Sequence, residues 1–387
     1  MKIELSVVVP TKNRHYYLKY LINYFKLINS DKVELIIYDN SDSVLREEFI
    51  LFLNEVNDRR INYYEDDNEL SQTANCDMAV SKANGEYITL LGDDDIFSKH
   101  ILEYIDEWRL NKVDVILPIK GVYFWPDVKP RLYGNKQSGM FKLGLFTKKS
   151  KKIESKKVLA KVINRGGSKI LNLPRIYHGI VSKELLDKIY LDIGTYFPGP
   201  SPDIANAIAL SKYSKNYIII DLPLIISGQS KLSAGGKGAA GNHYGEISKI
   251  KQLPRNAAKE WSKKVPFYWS GETIYAESTL KALEKMNMKR AIEHFNYEYL
   301  YASCLVFDFR YKYRIVKCIS NHINLFNTTK ILYYFVFIWT ERLFFHLKNN
   351  LFLLFPKSKK SKNTVFYENN TFDIAIINDS LIKGDFQ

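Results

Sequence analysis

Cysteine is scarce: Cys76, Cys304 and Cys318 are the only three in 387 residues, and no CxxC spacing occurs. An odd count without paired spacing supports neither a disulfide framework nor a zinc site, so a reducing compartment fits best. Long apolar runs are missing as well. The uncharged run Ile331–Thr340 reaches only about half of the ~20 residues that a bilayer-spanning helix needs. No apolar segment with a following cleavage site opens the chain, so no signal peptide is expected. Acidic residues are the minority charge, 42 against 56 Lys and Arg, which leaves a net charge of +14. That excess favours phosphates, acidic lipid heads or nucleic acid without selecting among them. What remains is ordinary globular composition, 46% hydrophobic and 25% charged. It excludes whole-chain disorder and suffices for one large or two modest domains.

Leu5–Pro10 is a β-branched run closed by proline, the pattern of a buried strand. Tyr17, Leu18, Leu21, Ile22 and Phe25 follow at helical spacing, and Val33–Tyr38 is a second buried strand. A helix over 44–57, a short strand 61–64, a helix 71–83 and a strand 87–91 continue the alternation. This predicts a mostly parallel sheet covered on both faces, with ligands beyond the carboxyl ends of the strands. Lysines surround Ile153, Val158, Leu159 and Val162, which predicts a basic amphipathic helix over 148–161. Gly236-Lys-Gly238-Ala-Ala-Gly241 is a literal GxGxxG, but it neither leaves a strand directly nor opens a helix there, so a mobile loop is expected rather than a dinucleotide site. Residues 256–321 read as helical and the tail after Asn363 as loosely held.

Three polar segments fall at predicted strand ends: Pro10-Thr-Lys-Asn-Arg14, Tyr38-Asp-Asn-Ser41 and Leu91-Gly-Asp-Asp-Asp-Ile96. Consecutive carboxylates repel one another and make a costly turn unless a cation sits among them. Hard oxygen ligands select Mg²⁺ or Mn²⁺, which bridge carboxylate and diphosphate. Metal or nucleotide contact is therefore the reading of Asp93-Asp94-Asp95.

The segments SVVVPTKNR, ELIIYDNSDS and NCDMAVSKANGEYITLLGDDD, in order and at this spacing, resemble the nucleotide-binding half of family 2 glycosyltransferases, inverting enzymes of GT-A fold. The resemblance is good over about residues 3–118 and loose to about 230. It implies an α/β, Rossmann-like, mostly parallel sheet flanked by helices, with a helical C-terminal extension. It further implies that Pro10, Thr11 and Arg14 line the nucleotide pocket, that Asp39 hydrogen-bonds the base, that Asp93 approaches the ribose and that Asp94 holds the metal, with Asp95 as second choice. Departures matter here: Asn40 replaces the second acid of the usual Asp-Asp-Gly-Ser, Gly92 replaces the first acid of Asp-x-Asp-Asp, and Ala74 replaces an arginine. Neutralisation of the diphosphate then falls to Lys12, Arg14 or a lysine of the later basic segment.

An inverting transfer also needs a general base on the acceptor side. By the same resemblance it comes about a hundred residues after the aspartates. Thr195-Tyr-Phe-Pro-Gly-Pro-Ser-Pro-Asp203 fits, since the Pro/Gly loop places Ser201 or Pro202 at a helix start and Asp203 in its first turn. His178 reads as a satisfied core histidine. The QxxRW element of processive synthases is missing, because Asn256 follows Gln252-Leu-Pro-Arg255, so single-sugar addition is expected. The implied organisation is a nucleotide-sugar-binding half over 1–118, an acceptor half over 119–250, a basic, aromatic helical region over 251–363 and a tail over 364–387. The aromatics from Tyr333 to Phe355, with lysines up to Lys362, predict an interfacial helix on an anionic leaflet, or else a helix packed on the protein's own core. The resulting expectation is a cytoplasmic enzyme at the inner membrane face. It moves a sugar from a nucleotide-sugar, a UDP-sugar by preference, to a glycan or lipid-linked glycan acceptor, with no nucleic-acid partner. Its rivals are a two-metal nucleotidyltransferase and a non-catalytic glycan- or nucleic-acid-binding module.

Overall fold

The computed structural model describes residues 2–129, 137–241, 243–354 and 363–384. Valine and isoleucine runs form β1 (Leu5–Thr11) and β2 (Val33–Asp39), flanked by β3 (Ile61–Glu65) and β4 (Tyr87–Leu90). These four pair in parallel in the order β4-β1-β2-β3, with Val8 opposite both Ile36 and Leu90. Helices α1 (His15–Phe25), α2 (Ser43–Val56) and α3 (Gln72–Ser81) make the crossovers. A short β5 (Ile96–Phe97) and α4 (Ile105–Leu110) lead into the second half.

That half is mixed. The long strands β6 (Val115–Phe124) and β10 (Tyr217–Gln229) pair in parallel. Around them, β7 (Met140–Gly144), β8 (Ser150–Ile153) and β9 (Ile180–Ser182) pair antiparallel. The expected α/β sheet with flanking helices is therefore present, parallel where the nucleotide half was predicted and mixed beyond it.

Alternation along β1 sorts its side chains onto two cores. Val7 and Val9 meet Leu18, Leu21, Ile22 and Phe25 of α1, while Val8 meets Ala79 and Val80 of α3 and Leu186 and Ile189 of α6 (Lys183–Ile193). Helix α7 (Pro202–Tyr213) lies on the second face and continues into a helical core with α5 (Ser155–Asn164), α10 (Gly271–Lys285) and α12 (Tyr297–Phe307). The small helices α8 (Ala234–Ala239), α9 (Ala257–Glu260), α11 (Lys289–Glu293) and α13 (Lys312–His322) fill the remaining connections.

Three sequence expectations change. Residues 150–153 of the predicted basic helix form β8 against β10, with Lys151 and Lys152 exposed, so the helix begins only at Ser155. The Gly-rich stretch is partly helical rather than a loop: Ser233 caps α8, and a Cβ on Gly236 would lie 1.8 Å from the Ser230 carbonyl oxygen. The tail is an integral part of the fold. Its β11 (Asn363–Tyr367) extends the sheet beside β7, and its α15 (Thr371–Lys383) buries Ile374, Ala375 and Ile382 in the first core. The Asp379 carboxylate accepts from the Tyr24 hydroxyl at 2.7 Å and the Ser98 hydroxyl at 2.6 Å.

Helix α14 (Leu325–Leu354) packs on the protein's own helices along one face and leaves the other exposed. One face buries Ile331 and Ile338 against Tyr299, Tyr301 and Ala302 of α12, while Leu332, Tyr333, Phe344 and Phe345 stay 65%, 66%, 71% and 62% exposed. Lys357, Lys359, Lys360 and Lys362, proposed to meet lipid heads, lie outside the described residues. Among the described residues no helix is long and apolar enough to cross a membrane.

Candidate active site

The turn after β4 delivers three aspartates to the sheet edge, and the fold closes over them: Asp93, Asp94 and Asp95 are only 3%, 2% and 1% exposed. Each is held differently. Asp93 Oδ2 accepts from the Thr11 hydroxyl at 2.9 Å, at the end of β1. Asp94 Oδ2 accepts from the Ser230 backbone amide at 3.0 Å and its hydroxyl at 2.7 Å. The remaining oxygens, Asp93 Oδ1 and Asp94 Oδ1, both lie 2.9 Å from one guanidinium nitrogen of Arg14. Burial works against charge on Arg14, but the two carboxylates more than offset it and its pKa rises. Burial also dominates the acids, pushing Asp93 up to about 7 and raising Asp94, with Arg14 opposing in both cases. One guanidinium thus leaves this pair short of positive charge.

Asp95 is fully engaged. Its Oδ1 accepts from the Gly228 amide at 2.8 Å, and its Oδ2 accepts from the Gly92 amide at 2.7 Å, the Tyr177 hydroxyl at 3.1 Å and His178 Nε2 at 2.7 Å. Burial pulls its pKa up, yet His178 and the two backbone amides bring it below the ordinary carboxylate range. Gly228 is required by a close approach: a Cβ there would lie 1.8 Å from the Asp94 carbonyl oxygen. That oxygen also accepts from the Trp125 indole, just past β6, at 3.0 Å, so the aspartate turn is held by β10 and by the end of β6 together.

His178, expected to be a core histidine, is buried but joins the site. It adopts φ +58° and stacks on Tyr177. Burial lowers its pKa while Asp95 opposes the shift. Nε2 lies 2.7 Å from Asp95 Oδ2, and Nδ1 lies 3.0 Å from Lys120 Nζ, the arrangement of an Nε2–H donor to Asp95 with Nδ1 accepting from the lysine. Asp39 lies apart from this cluster. It is fully buried, and it accepts from His15 Nε2 at 2.7 Å, the Tyr63 hydroxyl at 2.9 Å and the Ser41 amide at 2.9 Å. Burial alone would raise its pKa, but these partners hold it low. Pro10 stays partly open beside Thr11, and Lys12 donates to Asn40 Oδ1 at 3.2 Å, away from the aspartates.

Asp203 lies in the first turn of α7, after Ser201 at the N-cap and Pro202 at the first helical position. Asn206, one turn on, accepts from the Ile176 amide at 3.0 Å and donates to the Tyr196 carbonyl at 3.0 Å. It thereby fixes the 175–178 loop and the Pro/Gly loop to the same helix. Asp77 of α3 holds the Pro/Gly loop from the other side through the Tyr196 amide at 2.8 Å and the Thr195 hydroxyl. Burial raises the Asp203 pKa, while Arg175, Lys120 and a Tyr275 hydroxyl at 3.3 Å oppose the rise. Burial raises the Tyr177 pKa, and the charges of Asp95, Asp203 and Asp94 add to the rise, so Asp203 lies within electrostatic reach of the ring whose hydroxyl donates to Asp95.

The predicted residues Thr11, Arg14, Asp93 and Asp94 are thus joined by direct contacts with Asp95 next in the same turn, while Asp203 stands on α7 with Tyr275 as its hydrogen-bond partner. Sequence reasoning missed Ser230, Lys120, Arg175 and Tyr275, and set His178 aside. Among the described residues no three His, Cys, Asp or Glu side chains group as a ready-made metal cage. The donor set nonetheless suits a hard cation: Asp93 Oδ1 is buried without a hydrogen bond, and with Asp94 Oδ1 it faces only the Arg14 charge.

Residues 6–163 match the family described as Glycosyl transferase family 2. No curated protein matches. Among solved structures, S. aureus TarS is similar at 17% identity and a TM-score of 0.42, over 59% of this chain and 37% of that one. The chain therefore spans well under half of that protein's length. Its 1–349 fragment in complex with UDP-GlcNAc aligns at 12% identity and a TM-score of 0.46, over 82% of this chain and 89% of that one. A mannosyltransferase from Pyrobaculum calidifontis in complex with GDP-Man and Mn²⁺ aligns at 13% identity and a TM-score of 0.44, over 100% and 89%.

Proposed function

We propose that this chain, a glycosyltransferase whose residues 6–163 are its family 2 domain, moves one sugar from a UDP-sugar to a hydroxyl of a lipid-linked or surface glycan, inverting the anomeric centre. What supports the reading is that Tyr177, whose hydroxyl donates to Asp95 at 3.1 Å, also lies within the field of Asp203; the reading takes the aspartate turn and Asp203 as the donor and acceptor sides of one cleft. Burial makes the Asp203 carboxylate a stronger base than an exposed aspartate, while Arg175 and Lys120 favour its ionised form. In the transfer Asp203 takes the acceptor hydroxyl's proton as that oxygen bonds to the anomeric carbon. The bond to the diphosphate oxygen breaks on the opposite face, and the nucleoside diphosphate leaves with the electron pair.

Thr11, Arg14 and Asp93 are assigned to the donor, with Pro10 lining its pocket. Mg²⁺ or Mn²⁺ would be held by Asp94, with Asp93 beside it, and would neutralise the departing diphosphate. Asp95, already accepting four protein hydrogen bonds, anchors the turn and the His178 ring. Asp39, if it reads the base, does so as a rigid acceptor held by His15 and Tyr63. The exposed aromatic face of α14 supports residence on an anionic membrane surface, where a lipid-linked acceptor is found. Asp203→Asn tests the reading: transfer should be abolished while UDP affinity, measured by calorimetry, stays nearly unchanged. If UDP binding collapses with activity, Asp203 belongs to the donor pocket or to the fold. Release of pyrophosphate in place of nucleoside diphosphate would indicate nucleotidyl transfer instead.

A further inference from the structure

Arg14 holds two acids with one nitrogen. Its Nη2 lies 2.9 Å from Asp93 Oδ1 and 2.9 Å from Asp94 Oδ1, and it donates to the Ser230 hydroxyl at 2.9 Å. The second oxygen of each acid is engaged elsewhere, Asp93 Oδ2 by the Thr11 hydroxyl and Asp94 Oδ2 by the Ser230 amide and hydroxyl. Asp95 cannot take their place, because both of its oxygens already accept protein hydrogen bonds. The two Oδ1 atoms are therefore the oxygens left for a cation, and Arg14 stands on both. Its hold is incomplete at each end. Among the described residues Asp93 Oδ1 is buried and accepts no hydrogen bond, and Arg14 Nε is buried with no acceptor. The 2.9 Å contact to Asp93 is thus charge against charge without donor alignment. Buried polar atoms left in this state are unfavourable, and ligands that supply the missing partners relieve them.

Chemistry names the two ligands. A hard divalent cation of the Mg²⁺ type takes carboxylate oxygens at about 2.1 Å. A guanidinium nitrogen seated on the same two oxygens excludes it by contact and by like charge. The guanidinium fork, in turn, matches phosphate oxygens. Arg14 is also the most open of the three side chains, 19% exposed against 3% for each aspartate. We propose that Arg14 is a placeholder: without donor it balances Asp93 and Asp94, and on donor entry it passes to the diphosphate and yields both Oδ1 atoms to the divalent cation. Cation and nucleotide then bind as a coupled pair, each opening the place of the other. This rests on the reading of Asp94 as the acid that holds the metal, and it adds the residue that makes metal binding wait for the donor.

The test reads binding rather than turnover. Mn²⁺ alone is titrated into the full chain, and the free ion is measured by electron paramagnetic resonance, for wild type, Arg14→Gln and Asp94→Asn. Arg14→Gln should bind Mn²⁺ about tenfold or more tighter than wild type, and adding Mn²⁺ should raise its Tm more. UDP should tighten Mn²⁺ binding to wild type by about tenfold or more, whereas uridine, with no diphosphate for Arg14 to take, should leave it within about twofold. That comparison needs no variant and stands even if Arg14→Gln melts too low to titrate. With Mn²⁺ saturating, Arg14→Gln should lose about tenfold in UDP affinity and keep its affinity for uridine. Equal Mn²⁺ affinity in wild type and Arg14→Gln overturns the proposal. So does a tighter Mn²⁺ site in Arg14→Gln with UDP affinity unchanged, since Arg14 would then be a fixed counter-charge that never passes to the diphosphate. Uridine tightening Mn²⁺ as strongly as UDP overturns it as well, because the coupling would come from the base. Asp94→Asn separates this from the metal reading. If it removes Mn²⁺ binding in the presence of UDP while wild type and Arg14→Gln agree, Asp94 keeps the cation and only the role of Arg14 falls; Mn²⁺ binding unchanged in Asp94→Asn overturns both.

Discussion

Removing residues 363–387 should unfold the protein rather than trim it. The structure supplies the magnitude. Ile374 and Ile382 are buried in the same core as Leu21 and Phe25, and each is worth about 1.5–3 kcal/mol of apolar burial. The Tyr24 and Ser98 hydroxyls would lose their shared acceptor on Asp379, at about 1–3 kcal/mol for each buried donor left unpaired. β7 would also lose the strand pairing that runs from Gly144–Asn363 to Met140–Tyr367. The sum is roughly 5–12 kcal/mol, as large as the whole stability of a typical domain, about 5–15 kcal/mol. A finer probe is Asp379→Ala, which leaves the backbone in place and should lower Tm by on the order of 5–10 °C. Differential scanning calorimetry on full-length, truncated and Asp379→Ala proteins decides the matter. A truncated protein that melts cooperatively at the full-length temperature would refute the reasoning.

Asp94→Asn should lower turnover by about two or more orders of magnitude, the scale lost with a leading electrostatic stabiliser, and EDTA should mimic it; full activity of the variant in metal-free buffer would count against the assignment. Asp308, buried under α10 and accepting from the Tyr268 and Ser270 hydroxyls, is pushed up to about 7 by burial and by the Glu272 charge. Its ionisation thus opposes folding: the cost is absent below about pH 4, grows as pH rises through 7 and is complete above it. Wild type should gain stability as pH falls from about 8 to about 5.5, and the difference in Tm between wild type and Asp308→Asn should change over the same window; a constant difference would refute the shift. Phe344→Ser with Phe345→Ser on the exposed face of α14 should reduce co-sedimentation with anionic vesicles at unchanged Tm, and vesicle binding at wild-type level would exclude that face as the membrane contact.

What the sequence made legible follows from distance along the chain. β1 to β4 and their crossover helices are signalled by local periodicity. The residues that end those strands, Thr11, Arg14 and Asp93 to Asp95, meet because parallel strands share one edge. The place of Asp203 in the first turn of α7 is legible for a similar reason, since a Pro/Gly loop before a helix start is a local signal, whereas its role as base comes from the family resemblance. Ser230 carries no such signal: it reaches Asp94 only because β10 pairs in parallel with β6 and passes under the aspartate turn at Gly228. Lys120 and His178 are 58 positions apart and meet only when β9 lies beside β6. The tail misled because the apolar face of α15 has its partners in α1, more than 340 residues earlier by the numbering of the Tyr24–Asp379 contact.

That long return contact also bears on how the chain would meet a membrane. α14 is bounded on one side by helices packed into the second-half core and on the other by β11 and α15, which are built into the sheet and the first core. Through Ile331 and Ile338 the helix is packed on α12 and does not trail free of the body of the protein. If its exposed aromatics lie on a membrane, the body must lie there with them, in an orientation set by the packing of Ile331 and Ile338 on α12. The cleft would then meet lipid-linked acceptors at a fixed height above the leaflet. Surface residence would thereby select among acceptors by the distance of the reacting hydroxyl from the lipid. Acceptors of one sugar chemistry on spacers of graded length should show a maximum in kcat/KM on vesicles and no such maximum in detergent-free solution without lipid. The same length dependence in both settings would mean that the cleft alone measures the acceptor.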